Sequence, residues 1–355
     1  MVDGGKSVNG MHLIDVGSGP PLVMVPGIQG RWEWMKPAVD VLARQCRVIT
    51  FSLADEPTFG AHGLMRRGPN AGVPGAHACA PGWLWSAKDD RFDFSCYVDQ
   101  IANAMDAAGV REATICGVSY GGLIAAAFAG RHPDRTSALA LVSALPPGWT
   151  PDERVNFYLR APRLLAPLFM IGALRMYREI ATATPGAFNG LAAATRHGCN
   201  VLAHMSSPAR MARRVTLLRD LTLQDALTRV HVPTLVITGE PGLDRVVPVA
   251  RTTEYLRVWP HAQHVVLPRT GHLGLITRPI EFADIMTTFV QSASKQAGDA
   301  ALHTPAEFPA GFDSTFSARS ARLGPQCESQ HEDSGNEAHS GPAEATVDQH
   351  RRRVV

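Results

Sequence analysis

A Gly-X-Ser-X-Gly motif, running from Gly117 to Gly121, holds the residue of this chain best suited to nucleophilic chemistry. The apolar residues 113–116 before it predict a strand, and the pattern that begins at Tyr120 predicts a helix. Between these elements Ser119 must occupy a tight turn that projects its hydroxyl above the sheet edge, where side chains at either glycine would collide with backbone. The motif therefore predicts a nucleophilic serine; the alternative is a serine that only caps the helix.

A serine hydroxyl needs a base that removes its proton, and His272 has the best position among the fourteen histidines. It follows the last predicted strand, residues 264–267, at the carboxyl edge of the sheet, where the serine turn is also expected. His261 precedes that strand and so belongs to the opposite edge, while His264 lies within it. We therefore expect His272 to be the base; the alternative is an ordinary loop histidine.

A carboxylate is expected to orient that imidazole and to stabilise its cation. Asp244 lies on the loop after the predicted strand 234–238, just before the next helix, and is the predicted acid. Glu240, which is closer to the end of the strand, is the alternative acid, and Asp244 could instead cap the helix. The chain order Ser119, Asp244, His272 is typical of a catalytic triad on a doubly wound sheet.

The elements that must position these residues are short strands alternating with helical stretches, which predicts an α/β fold with a doubly wound, mostly parallel sheet. The predicted strands are 12–16, 22–25, 47–52, 113–116, 137–143, 234–238 and 264–267, and the predicted helices are 31–45, 94–109, 120–131, 248–258 and 279–290.

Three segments interrupt this alternation and predict the domain organisation. Residues 55–91 form a long Gly- and Pro-rich loop, of the kind that is either functional or disordered. Residues 145–229 have a mostly helical pattern and predict a helical cap inserted between a first core part, 11–144, and a second, 230–292. Residues 296–355 contain no isoleucine and few other large aliphatic side chains, too few to offset ordering, so a disordered tail is expected.

The composition excludes several classes of protein. Hydrophobic residues make up 45% of the 355 residues and charged residues 19%, which is typical of a globular enzyme, and a net charge of +2 argues against nucleic-acid binding. No apolar run approaches the ~20 residues of a membrane span, and the N-terminus lacks the apolar segment of a secretory signal. Six scattered cysteines have neither zinc-site nor disulfide spacing, so we expect a cytoplasmic protein with reduced thiols.

Four ordered elements together resemble the α/β-hydrolase fold superfamily, in its cap-bearing branch of esterase-like and haloperoxidase-like members. They are the loop Pro26-Gly27-Ile28-Gln29-Gly30, the Ser119 turn, Asp244 ahead of Val-Val-Pro, and Gly271-His272, and the resemblance covers residues 13–290. It implies an oxyanion hole formed by the backbone N–H groups of Ile28 and Tyr120. Pro26 stands where the family commonly has histidine.

The resemblance implies a serine hydrolase that cleaves a carboxylic ester, or a similar acyl bond, of a small apolar molecule through an acyl-enzyme. Such chemistry needs no metal and no organic cofactor. Trp32, Trp34, Phe169 and Met170 are candidates for lining the substrate pocket. The alternative is a core position, which the pattern around Phe169 and Met170 favours. The open alternatives are a C–C bond or thioester hydrolase, a cofactor-free perhydrolase or haloperoxidase, and a ligand-binding protein that keeps the fold without turnover.

Overall fold

An eight-stranded sheet forms the centre of the molecule in a computed structural model of the protein. Its strands are β1 (Lys6–Val8), β2 (Met11–Val16), β3 (Pro21–Val25), β4 (Arg47–Phe51), β5 (Ala113–Val118), β6 (Thr136–Val142), β7 (Thr234–Thr238) and β8 (Gln263–Val266). They are arranged in the order β1-β2-β4-β3-β5-β6-β7-β8. The β1–β2 and β2–β4 pairs are antiparallel and the other five pairs are parallel, which confirms the predicted fold class.

The structure describes residues 6–8, 11–55, 92–168, 176–183, 195, 203–204, 206–219 and 221–303. Most of the predicted loop 55–91, parts of the segment 145–229 and the predicted tail from residue 304 onward lie outside these ranges. All of the described residues belong to one compact unit, Met1–Pro305. Among them, no helix has both the length and the apolar character that crossing a bilayer requires.

Helices cover both faces of the sheet. They are α1 (Lys36–Leu42), α2 (Ser95–Ala107), α3 (Tyr120–Arg131), α4 (Glu153–Arg160), α5 (Tyr177–Ala183), α6 (Pro208–Thr216), α7 (Gln224–Leu227), α8 (Val249–Thr252), α9 (Tyr255–Val258), α10 (Gly274–Thr277) and α11 (Pro279–His303). Successive strand residues point to opposite faces, so Ile115 of β5 packs in the apolar layer that contains α2 and α3, whereas Cys116 packs in the layer with α1 and α11. Every residue of β5 is buried, which explains why the strand is mostly apolar.

Three helical predictions need correction. The stretch 31–45 is a 3₁₀ turn, Trp32–Met35, followed by α1, because Pro37 suits the first turn of a new helix rather than the interior of a long one. The stretch 248–258 is likewise two short helices, α8 and α9. The last helix, α11, continues to His303, so residues 296–303, which were predicted to be tail, are helical. Gln296 and the three alanines of this stretch are good helix formers.

The parallel strands bring the ends of several loops to one edge of the sheet. The chain leaves β3, β5, β7 and β8 at their carboxyl ends, and these strands run parallel to one another. The loops that follow them contain the predicted oxyanion residue Ile28, then Ser119, Asp244 and His272. Because residues at this edge of a doubly wound sheet converge, the topology is able to assemble one site from four distant parts of the chain.

Candidate active site

Ser119 occupies a strained backbone conformation between β5 and α3, with φ +54° and ψ −117°. Non-glycine residues avoid positive φ, and such strain clusters at functional sites. The turn is held by a 2.9 Å hydrogen bond from the Ser119 N–H to the carbonyl oxygen of Val142. A Cβ on Gly117 would lie 2.3 Å from the carbonyl oxygen of Gly121, and one on Gly121 would lie 2.5 Å from that of Pro26. Both glycines of the motif are therefore required by close backbone contacts.

His272 connects the serine to a carboxylate. Its Nε2 lies 3.1 Å from the Oγ of Ser119, and its Nδ1 lies 3.2 Å from the Oδ2 of Asp244. A neutral imidazole that donates its Nδ1–H to the carboxylate presents an Nε2 lone pair to the serine hydroxyl, as general-base chemistry requires. The structure thus brings the three predicted residues into one hydrogen-bonded line, although they are far apart in the chain.

The contact between His272 and Asp244 depends on tight packing of two loops. The N–H of Glu240 donates to the carbonyl oxygen of Thr270 over 2.8 Å, which joins the loop after β7 to the loop after β8. A Cβ on Gly271 would lie 2.5 Å from the carbonyl oxygen of Leu243 and 2.7 Å from the Asp244 nitrogen. Only glycine allows this approach, so Gly271 sets how closely the imidazole and the acid can meet.

Asp244 is held as an anion. Burial alone raises the pKa of its carboxyl, but the neighbouring His272 and the N–H groups of Val247 and Val246 outweigh that cost, and the pKa lies below its usual value. The two N–H groups donate to Oδ1 over 2.8 and 2.9 Å, leaving Oδ2 for the imidazole. The alternative acid, Glu240, instead accepts a 2.7 Å hydrogen bond from the N–H of Arg269.

The loop after β3 passes directly over the serine. A Cβ on Gly27 would lie 3.3 Å from the Cβ of Ser119 and 3.9 Å from its Oγ. Neither the N–H of Ile28 nor that of Tyr120 donates a hydrogen bond to another described residue. An oxyanion hole needs two available backbone donors, and the role that the resemblance implies for these two stays a prediction.

A buried ion pair, not found by the sequence analysis, supports this loop. Arg214 of α6 donates from Nε to the Oδ1 of Asp55 over 2.7 Å and from Nη2 to Oδ2 over 2.5 Å, and the two side chains are only 1% and 2% exposed. Its Nη1 donates to the carbonyl oxygen of Ile28 over 2.5 Å. The sequence does indicate Asp55, because this carboxylate lies just beyond a buried strand, at the same sheet edge as Ser119. Nothing in the sequence around Arg214 indicated its partner.

The predicted pocket residues have different surroundings. The side chain of Trp32 is 7% exposed and packs in the apolar layer beside α1, while the Nε1 of Trp34 donates to the carbonyl oxygen of His204 over 3.3 Å. Phe169 and Met170 lie outside the described residues. Substrate binding by these four residues stays a prediction. Within the described ranges, no three His, Cys, Asp or Glu side chains come close enough together to hold a metal ion.

Comparison with known proteins gives consistent matches. A family described as "Alpha/beta hydrolase family" matches residues 22–285. A pimeloyl-[acyl-carrier protein] methyl ester esterase of Yersinia enterocolitica is 28% identical over 52% of this chain and 71% of its own length. A putative carbamate hydrolase of Rhizobium rhizogenes is 24% identical over 80% of this chain and 98% of its own.

Solved structures agree on the fold. An esterase from Exiguobacterium antarcticum superposes with a TM-score of 0.59 at 19% identity, over 81% of this chain and 98% of that protein. At this identity the likeness concerns the fold alone.

Proposed function

Because the chain belongs to the alpha/beta hydrolase family, we propose that it is a serine hydrolase that cleaves a carboxylic ester of a small molecule. Ser119 is the nucleophile, His272 the general base and Asp244 the acid that stabilises the imidazolium. The observation that carries this proposal is the line of contacts of 3.1 and 3.2 Å through His272, which starts at a serine in a strained turn.

Acylation begins when the Oγ–H of Ser119 gives its proton to the Nε2 of His272 and the oxygen attacks the carbonyl carbon of the ester. The carbonyl oxygen becomes an oxyanion, to which the N–H groups of Ile28 and Tyr120 donate. The imidazolium then gives its proton to the leaving alcohol oxygen as the ester C–O bond breaks. The products of this half-reaction are an alcohol and an acyl group covalently bound to Ser119.

Deacylation repeats these steps with water. His272 takes a proton from the water molecule, the resulting oxygen attacks the acyl carbon, and the same proton returns to the Oγ of Ser119 as the acid leaves. Asp244 stays ionised throughout, which suits its lowered pKa. Its negative charge offsets the positive charge that appears on the imidazole in each half-reaction.

The relatives support an acyl carbon as the point of attack. One is named as a methyl ester esterase and another as a putative carbamate hydrolase. Esters and carbamates share a carbonyl carbon bonded to a second oxygen, and a carbamate also has a nitrogen on that carbon. A serine nucleophile with an oxyanion hole is suited to attack on either.

A fluorophosphonate probe tests the proposal, because it labels a serine only when a base has activated it. We expect the wild-type protein to be labelled and Ser119→Ala to be unlabelled, with ester turnover reduced by about 10⁴-fold or more. Ser18→Ala, at an exposed serine, is the matched control and should behave as wild type. A wild-type protein that takes up no label at Ser119 would contradict the proposal and favour a non-catalytic binding protein.

A further inference from the structure

Glu179 is a buried carboxylate that lies outside the proposed triad. It belongs to α5, in the inserted segment 145–229, and its exposed fraction is 1%. Ile180 and Ala183 of the same helix are also buried, while Arg178 and Thr182 are exposed. The inward face of α5 packs against α10, the short helix that directly follows His272. The helix therefore carries an ionisable group to the loop that holds the proposed base.

The carboxylate binds the backbone on the side of His272 toward α10. The N–H of Leu273 donates to its Oε1 over 2.5 Å. On the other side of His272, the N–H of Gly271 also acts on this carboxyl and lowers its pKa. Both residues are the immediate chain neighbours of His272. A carboxylate engaged in this way restrains the segment from which the imidazole projects.

The cost of this arrangement points to a role beyond packing. Burial of a carboxylate is expensive unless a cation pairs with it, and an apolar side chain of similar size would avoid that cost. Within the part of the chain that the structure describes, no lysine or arginine forms an ion pair with Glu179. The ionisable groups that face it are His272 and Asp244, and its other partners are neutral backbone N–H groups.

These groups together cause the Glu179 carboxyl to change its protonation state near neutral pH. Burial raises the pKa of its carboxyl to about 7, with Asp244 adding to the rise, while the two N–H groups and His272 oppose it. Perturbed ionisable groups of this kind cluster at functional sites. The charge on Glu179 is favourable when the imidazole is protonated, which is the state that forms during catalysis.

We propose that Glu179 is a positioning residue for His272, whose carboxylate restrains the backbone beside the imidazole and whose negative charge stabilises the imidazolium. This inference rests on the proposed function, since it assumes that His272 acts as the base for Ser119. It also gives the inserted segment a role, because α5 of this segment contributes a side chain to the surroundings of His272 at the sheet edge.

The test measures the rate of fluorophosphonate labelling of Ser119 against pH, together with kcat and KM for an ester. In Glu179→Gln we expect labelling and kcat to fall about tenfold with little change in KM, because stabilisation of the imidazolium is lost. We also expect the acidic limb of the profile to move to lower pH by about half a unit or more, since a neutral neighbour favours the uncharged imidazole. Arg178→Gln, the adjacent exposed residue, is the control and should follow wild type.

The outcomes separate the inference from the function on which it rests. Wild-type labelling at Ser119 with an unchanged profile in Glu179→Gln would overturn the inference alone. A slower rate with an unmoved acidic limb would leave only a structural role and would also overturn it. A wild-type protein that is not labelled at Ser119 would overturn both.

A second variant guards against loss of folding, which circular dichroism would reveal. Glu179→Asp keeps the charge but shortens the reach to Leu273. We expect it to label more slowly while its acidic limb stays at the wild-type pH. If the acidic limb of the pH profile moved in Glu179→Asp, which retains the charge, the electrostatic part of the inference would be contradicted.

Discussion

The inserted segment, residues 145–229, contacts the core through two buried ionisable side chains, and the two contacts are built differently. Arg214 meets a full counter-charge in Asp55, and the hydroxyl of Tyr97 adds a 2.6 Å hydrogen bond to the same carboxylate. Glu179 instead meets the backbone N–H groups of Gly271 and Leu273. One contact supports the loop that contains Ile28, and the other supports the loop that contains His272.

The comparison shows that the partner, rather than the depth of burial, decides whether a buried group stays charged. Burial alone lowers the pKa of the Arg214 guanidinium, but Asp55 outweighs it and the pKa lies above its usual value. For Glu179, burial prevails and the pKa rises to about 7. The oxyanion loop is thus supported by a permanent charge, while the support of the histidine loop changes its charge near neutral pH.

The largest expected effect comes from breaking the Arg214 contact. Arg214→Met leaves the Asp55 carboxylate buried without a cation, and we expect the free energy of unfolding to fall by about 3–5 kcal/mol. Urea denaturation at constant pH measures it. Arg229→Met, an exposed arginine of the same segment, is the control and should change stability by less than about 0.5 kcal/mol.

A double variant sharpens this prediction. Arg214→Met combined with Asp55→Met removes both charges, so we expect it to recover part of the stability lost in the single variant. A double variant that is less stable than Arg214→Met would show that the single loss did not arise from an unpaired carboxylate.

The next largest effect is the pH dependence of stability that Glu179 causes. The folded-state pKa of Glu179, about 7, lies above the usual 4.5, so the folded protein binds this proton more tightly than the unfolded chain does. The stability that results is complete at low pH and is lost as the pH rises through about 7. Between about pH 4 and 8 the wild type should lose on the order of 3 kcal/mol relative to Glu179→Gln. Unfolding curves of both proteins across this range measure the difference, and parallel pH dependences would contradict it.

The smallest expected effect comes from an exposed ion pair whose N–O distance is similar to that between Arg214 and Asp55. Lys36 and Asp40 lie 2.7 Å apart on α1, but their side chains are 44% and 43% exposed. We expect Lys36→Gln to lower the free energy of unfolding by less than about 1 kcal/mol, and by still less in 1 M salt. A loss close to that of Arg214→Met would show that distance, and not burial, governs these pairs.

Much of the fold was predictable because strands and helices leave local patterns. The start of α3 follows from the glycine and serine residues ahead of it, and β7 from its five buried apolar and β-branched residues. The C-terminal end of α11 and the short edge strand β1 were not predictable in this way. The helix continues past the apolar residues on which its prediction depended, and β1 depends on pairing with β2.

The residues of the candidate site also differ in whether the sequence could predict them. Ser119, Asp244 and His272 could be predicted because each follows a strand, and parallel strands present their carboxyl ends together. Asp55 also follows a strand. Arg214 and Glu179 had none, because both lie in helices whose position against the sheet depends on long-range packing.

The sequence alone determined the alternation of most strands and helices along the chain, the glycine-framed turn at residue 119 and the three loops that carry a serine, an acid and a histidine. These features depend on residues close together in the chain. Only the tertiary structure decided which buried charges meet those loops. Ionic and hydrogen-bonded contacts between distant segments depend on distances of a few ångströms, and local composition does not encode them.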